Sequence, residues 1–324
     1  MEKIDLKDRK ILYHLDLDSR QSYSQIGKKV GLHKDVVAYR VKNLQEKGII
    51  KGFYTETDDY RLGYVRYRYY FTFQYASPEV REEIINYFLK NKYTRIIHST
   101  EGHYDLVIIS DVKGITKCYS VWKTIVSKYR DYFANQVFSV IFNVYIYRYT
   151  FLLDEKDKER AIRIKSILYG SDKRVEIDDL DHQILKLISQ NARMPTIEIA
   201  KKLNTTAITI NNRIKKLKES GIIKAFRINI NLPMLGYQRY KADIILKDYK
   251  RLHQIIKYIE KNPNLDEVIQ SVGYTDLELL FILKSPNQLH KIMEDLAIKF
   301  PNTIKNYIYF SAIKTHKWSW MPEE

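Results

Sequence analysis

Residues 40–51 read RVKNLQEKGIIK, and residues 213–224 read RIKKLKESGIIK. The two stretches lie 173 positions apart, and the same offset holds around them without a gap. It lays Ile4-Asp5, Asp8 and Ile11-Leu12 on Ile177-Asp178, Asp181 and Ile184-Leu185. It lays Arg20 on Arg193, Ile26 on Ile199, Lys28-Lys29 on Lys201-Lys202, and Leu62-Gly63-Tyr64 on Leu235-Gly236-Tyr237. Chance does not hold a register over about sixty residues, so the chain carries two copies of one unit. Further on the match thins. Gly102-His103-Tyr104-Asp105-Leu106 lies against Gly273-Tyr274-Thr275-Asp276-Leu277 at an offset of 171.

The first part of each copy has helical spacing. Ile11, Leu12 and Leu15 form one apolar face, with Asp5 and Asp8 at the helix start, where carboxylates accept free N–H groups. Ser22 opens the next helix with Gln25 three residues on, a capping-box pair. Gly31, and Asn204 at the matching position, supply the left-handed residue that a tight turn needs. A third helix then buries Val37, Val41 and Leu44, matched by Ile210, Ile214 and Leu217. Its outer face carries His33, Lys34, Tyr39, Arg40 and Lys42 in copy one, and Thr206, Thr209, Asn211, Asn212, Arg213, Lys215 and Lys216 in copy two. Two short helices, a turn and an amphipathic helix with a basic, polar outer face make a helix-turn-helix, whose last helix lies in the major groove. These twelve outer residues are therefore the DNA-binding candidates. The arginines and lysines are expected on phosphates, and His33, Tyr39, Thr206, Asn211 and Asn212 on base edges. A three-helix packing module with a solvated charged face also fits the pattern.

The second part of each copy reads as β-α-β-β-α-β. Residues 66–75, RYRYYFTFQY, have strand composition, and Pro78 to Leu89 is helical. Strands are expected over 93–99 and 104–110, a helix over 115–129, and a long strand over 137–149; copy two repeats the order from Arg239 to Ile313. That order is the ferredoxin-like split βαβ. The fold class is thus α+β, two tandem copies of a winged-type helix-turn-helix domain followed by a ferredoxin-like domain. The expected boundaries are 1–63 and 64–152 for copy one, 153–175 for a linker helix, and 176–236 and 237–324 for copy two.

Composition bounds the partners. The chain has 324 residues and a formal charge of +16, which attracts polyanions, although a generally lysine-rich composition would give the same figure. No apolar run approaches a membrane span, the N-terminus has no hydrophobic signal region, and Cys118 is the one cysteine. A cytoplasmic protein without membrane partner, metal or cofactor is expected. No phosphate loop, metal-spaced cluster or nucleophile motif is present, so the expectation is that the chain is not an enzyme.

The run Asp-x-x-Asp-x-x-Ile-Leu, the Arg-Val-x-x-Leu-x-x-x-Gly-Ile-Ile-Lys helix end and Leu-Gly-Tyr resemble the Lrp/AsnC (feast/famine, leucine-responsive) family of transcriptional regulators, here in tandem-duplicated form. The resemblance implies a sequence-specific regulator on double-stranded DNA. It further implies ferredoxin-like domains that sense an amino-acid effector and pair, within one chain as a pseudo-dimer or across chains as a homo-oligomer. It places effector contacts at Gly102, Tyr104 and Asp105 and at Gly273 and Asp276. A Gly-x-x-Asp tight turn explains the same residues without a ligand. The alternative is a haem-pathway decarboxylase of the siroheme type, which shares this architecture and places a histidine near the central strands, where His98 and His103 lie.

Overall fold

The computed structural model describes residues 4–161, 167–170 and 173–322. Copy one starts with α1 (Leu6–Leu17), α2 (Tyr23–Val30) and α3 (Lys34–Glu46), followed by strand β1 (Ile50–Thr57). Asp5 caps α1 by accepting from the Asp8 N–H, and Ser22 and Gln25 form the capping box of α2. Gly31 (φ 67°) makes the turn into α3 in the left-handed conformation, as Asn204 (φ 50°) does in copy two.

Then come β2 (Val65–Phe73), α4 (Pro78–Lys90), β3 (Thr94–Gly102), β4 (Leu106–Val112), α5 (Ile115–Tyr129) and β5 (Phe133–Ile146). A connection holds α6 (Glu155–Ala161) and β6 (Ile167–Tyr169). Copy two follows with α7 (Asp179–Gln190), α8 (Thr196–Lys202), α9 (Ala207–Glu219), β7 (Ile223–Ile230), β8 (Gln238–Leu246), α10 (Leu252–Ile259), β9 (Leu265–Val272), β10 (Leu277–Leu283), α11 (Pro286–Lys299) and β11 (Ile304–Trp318). Among the described residues of the expected linker helix, Glu155–Ala161 are helical. Behind them, β6 pairs with β5, and Ile164 lies outside the described residues.

The copies interlock twice. Strands β1 and β7 pair with each other, antiparallel, so each copy's wing strand is completed by the other copy. The β2–β5 and β8–β11 sets each have the antiparallel split-βαβ order, and they join edge to edge through β5–β9 and β3–β11. With β2 also paired to β5, eight strands close into a barrel and no edge of either set stays open. Strand alternation then sorts the side chains. Tyr67, Tyr69 and Phe71 of β2 pack outward under α4 and α5, and Tyr240, Ala242 and Ile244 of β8 pack under α10 and α11. Arg66, Arg68 and Tyr70, with Arg239, Lys241 and Asp243, occupy the alternate positions and are left to the barrel interior.

Candidate functional site

The outer faces of α3 and α9 are where the helix-turn-helix pattern puts DNA. Tyr39 is 71% exposed, and His33, Lys34 and Lys42 are exposed around it. In copy two Asn211, Asn212, Lys215 and Lys216 are exposed. Thr206 and Thr209 hold the start of α9, the Thr206 hydroxyl accepting the Thr209 N–H at 3.1 Å. His33 does the equivalent for α3, its Nδ1 accepting the Asp35 N–H at 3.5 Å. The two arginines differ from the phosphate-contacting role expected for them. Arg40 donates to Asp5 at 2.7 Å and to Asp8 at 2.8 Å, and Arg213 is bound in the same way by Asp178 and Asp181. Each guanidinium pins the recognition helix to the start of the first helix of its own unit. Ile208, 75% exposed in the first turn of α9, joins this outer face, out of phase with the buried Ile210, Ile214 and Leu217.

The five loop residues with expected effector contacts lie in the barrel wall. Gly102 (φ 114°) is where β3 meets β11, and a Cβ there would come within 2.8 Å of the Tyr309 carbonyl oxygen. Gly273 sits likewise against Phe138. Asp105 accepts the Phe73 N–H and Asp276 the Leu246 N–H, both at 2.7 Å. Tyr104 is buried and donates to the Tyr274 hydroxyl. None of the five lines the cavity described next.

A cavity of about 660 Å³ lies between the barrel interior and the β1–β7 ribbon. One end abuts a buried ionic cluster: Arg68 pairs with Glu278 and donates to the Tyr70 hydroxyl at 2.8 Å, and Lys241 reaches Glu278 at 2.9 Å and Tyr70 at 2.7 Å. Burial opposes the Glu278 charge, but Arg68 and Lys241 outweigh it and hold its carboxyl down at about 2. The ribbon contributes Tyr54 and Glu56, and the chain end contributes Trp318 and Trp320, with Trp320 stacked on Tyr54 at 3.5 Å. Arg239 lines the wall, held by Asp266 at 2.7 Å and by the Tyr149 hydroxyl at 3.1 Å. Burial, with Asp266 beside it, pushes the Glu267 carboxyl up to about 7. His98 also faces this space, and burial together with Arg239 lowers it to about 4, leaving a neutral ring at pH 7. His103, the other histidine of interest, is exposed and lies outside the cavity lining. Sequence reading missed Arg239, Glu267, Trp318 and Trp320; alternation of charged residues along β2 and β8 was the available signal.

Among the described residues no helix is long and apolar enough to cross a membrane, and no cluster of side chains suits a metal ion.

Residues 4–51 and 177–224 each match the family model for winged helix-turn-helix DNA-binding. An uncharacterised HTH-type transcriptional regulator of Pyrococcus furiosus is 33% identical over 122 residues, 38% of this chain and 82% of that protein. The regulatory protein AsnC of Haemophilus influenzae is 32% identical over 118 residues, 36% of this chain and 79% of that protein. Crystal structures of the siroheme decarboxylase NirDL match from end to end. The first has a TM-score of 0.67 at 14% identity, covering 98% of this chain and 94% of that one. A second, in co-complex with an iron-uroporphyrin III analogue, gives 0.65 with the same coverage. At that identity the likeness concerns the fold. It nevertheless overturns the expectation that the chain is not an enzyme, because the architecture matching it throughout is an enzyme's. Missing motifs were a poor ground for that expectation, since a barrel interior can bring single residues of many strands together without any short motif.

Proposed function

The chain belongs to the Lrp/AsnC family of helix-turn-helix transcriptional regulators, and on that premise we propose that it binds double-stranded DNA sequence-specifically and regulates transcription. The observation that carries this reading is the pair of recognition helices, α3 and α9, whose polar and basic outer faces are exposed while their apolar faces are buried. His33, Tyr39, Asn211 and Asn212 read bases, with Ile208 suited to a thymine methyl, and Lys34, Lys42, Lys215 and Lys216 contact phosphates. Thr206 and Thr209 combine the cap of α9 with a place at its leading end. Because one chain closes its own barrel, it acts as a pseudo-dimer, and its two unlike helix faces select two unlike half-sites. We read Gly102, Tyr104, Asp105, Gly273 and Asp276 as builders of the barrel rather than as contacts for an amino-acid effector. Selection from random DNA followed by footprinting tests the proposal: an enriched, non-palindromic site supports it, and binding without sequence preference overturns it.

A second reading rests on His98, a neutral imidazole inside the cavity of a barrel whose fold is matched throughout by a siroheme decarboxylase. On that reading the cavity takes an acidic tetrapyrrole and releases carbon dioxide from it. Mass spectrometry of such a substrate after incubation decides: a decarboxylated product lost in His98→Ala supports the activity, and unchanged substrate removes it.

A further inference from the structure

The 660 Å³ cavity draws its lining from two parts of the molecule. Its wall comes from the barrel, through His98, Arg239 and Glu267, and from the β1–β7 ribbon, through Tyr54 and Ile230. Its volume is in the range that encloses a drug-sized molecule, roughly 300–1,000 Å³. Much of the lining is aliphatic, with Ile109, Ile141, Ile146 and Leu280 among it, and the stacked Tyr54–Trp320 pair and Trp318 add flat surface. Such walls suit an apolar, ring-bearing body.

The charges on the wall are distributed to match. Lys51 from the ribbon and Lys314 from β11 line the cavity and are exposed, and neither has an ion pair among the described residues. Arg239 uses its Nε on Asp266 and Nη2 on Tyr149 and lies over the Trp318 ring, which leaves Nη1 without a hydrogen-bond partner among the described residues. Three cationic groups on three different elements call for more than one acidic group on the occupant. The two copies contribute differently, since Ile96 and His98 of β3 correspond to Glu267 and Ile269 of β9 at the 171-residue offset. A cavity without two-fold symmetry holds one ligand in one orientation.

We infer that this cavity is an effector site for a small molecule with an apolar aromatic body and at least two carboxylates, and that its occupancy changes affinity for DNA. The second half rests on the DNA-binding function proposed above. The physical route is short. The ligand touches β1 and β7 directly, and these strands lead out of α3 and α9, so an occupant that favours one ribbon geometry sets how the two recognition helices are presented.

The test uses the full chain carrying Trp122→Phe, so that Trp318 and Trp320 are the remaining indoles. Pamoate, an aromatic dicarboxylate, is titrated while tryptophan fluorescence is followed, with its uncharged dimethyl ester as control. Saturable quenching by the acid is expected, with at least tenfold weaker binding of the ester. Arg239→Gln is expected to weaken the acid tenfold or more. Because that change strips Asp266 of its partner, Ile269→Phe, which fills the cavity and leaves the charges alone, is measured beside it and should also abolish quenching. Equal binding of acid and ester, or quenching unaffected by Ile269→Phe, overturns the site. In the second arm, saturating pamoate is expected to change the dissociation constant for the selected DNA at least fivefold. Binding with unchanged DNA affinity overturns the effector role and leaves the site standing. If the free chain selects no DNA, the regulator reading falls and the coupling with it, while the quenching still decides the site.

Discussion

Arg20 donates across the molecule to the Ala192 and Met194 carbonyls, and its counterpart Arg193 donates back to those of Ser19 and Gln21. The Ser19 N–H meets the Phe226 carbonyl at 2.9 Å, and the Ala192 N–H meets that of Phe53 at 3.0 Å. Such reciprocity is what a two-fold interface requires, here within one chain. The barrel interior has no such symmetry. Arg68 and Tyr70 of β2 correspond to Lys241 and Asp243 of β8, and Arg95 of β3 to Asp266 of β9. The duplication is conserved where each copy must fit the other and has diverged where the copies jointly face an enclosed space. A fused chain permits this, since its halves are free to change separately, whereas identical subunits are not.

The sharpest break in symmetry lies at the seam between these regions, and the largest expected effect is there. Tyr54 stacks on Trp320 in one half; in the other, the equivalent Arg227 lies over Tyr149 and donates to Asp16 at 2.7 Å. Arg227 and Asp16 are both fully buried. Arg227→Met leaves the Asp16 carboxylate without its counter-ion and should cost about 3–5 kcal/mol. Urea denaturation measures it. Adding Asp16→Ser, the residue that copy two has at the matching position (Ser189), should return most of the loss. A double variant as unstable as the single would mean that Arg227 acts through packing alone.

Within the barrel, Glu267 tests the asymmetry by pH. Its folded-state pKa of about 7 lies above the ordinary 4.5, so the folded chain binds the proton more tightly than the unfolded one. Stability from this group is complete below about pH 4.5 and is lost as pH rises through 7. Glu267→Gln should therefore be more stable than the parent at pH 8, by on the order of 3 kcal/mol, with the difference vanishing near pH 4.5. Thermal unfolding across that window checks it. A constant difference at every pH would locate the effect in packing.

On the DNA side the two hands should be separable. Alanine at Asn211 or Asn212 is expected to cost about 1–3 kcal/mol at the half-site under copy two. Alanine at His33 or Tyr39 should act at the other half-site. Footprints of the variants on the selected site read this directly, and equal losses at both half-sites would remove the unlike-half-site reading.

The helix-turn-helix units were legible in the sequence because their signals are local: a cap at Ser22, a turn at Gly31 or Asn204, and apolar residues at 3.6 spacing. The strand order of each ferredoxin-like half was legible for the same reason. The exchange of β1 and β7 and the closure through β5–β9 and β3–β11 were not, since pairing between residues so far apart leaves no periodic trace. The cavity followed from that closure, which is why Arg239, Glu267 and the two tryptophans were missed, while His98 was noticed only through the resemblance to a decarboxylase.

Arg40 carries the smallest effect and separates scaffold from DNA contact most cleanly. Sequence alone made it a phosphate ligand, by charge and by its place on the recognition helix. Its guanidinium is instead committed to Asp5 and Asp8, which raise its affinity for the proton through hydrogen bonds and charge. A side chain holding two carboxylates gives little net positive field to a phosphate, so removing it should change stability more than DNA binding. Arg40→Ala should cost at most about 1 kcal/mol of folding stability, since the pair is partly exposed. It should leave the slope of log affinity against log salt unchanged. Lys42→Ala, beside it and largely exposed, should do the reverse: little change in stability, and a slope reduced by about 0.9. If Arg40→Ala alone lowers the slope, the aspartates release the arginine when DNA arrives, and the clasp seen here belongs to the free protein only.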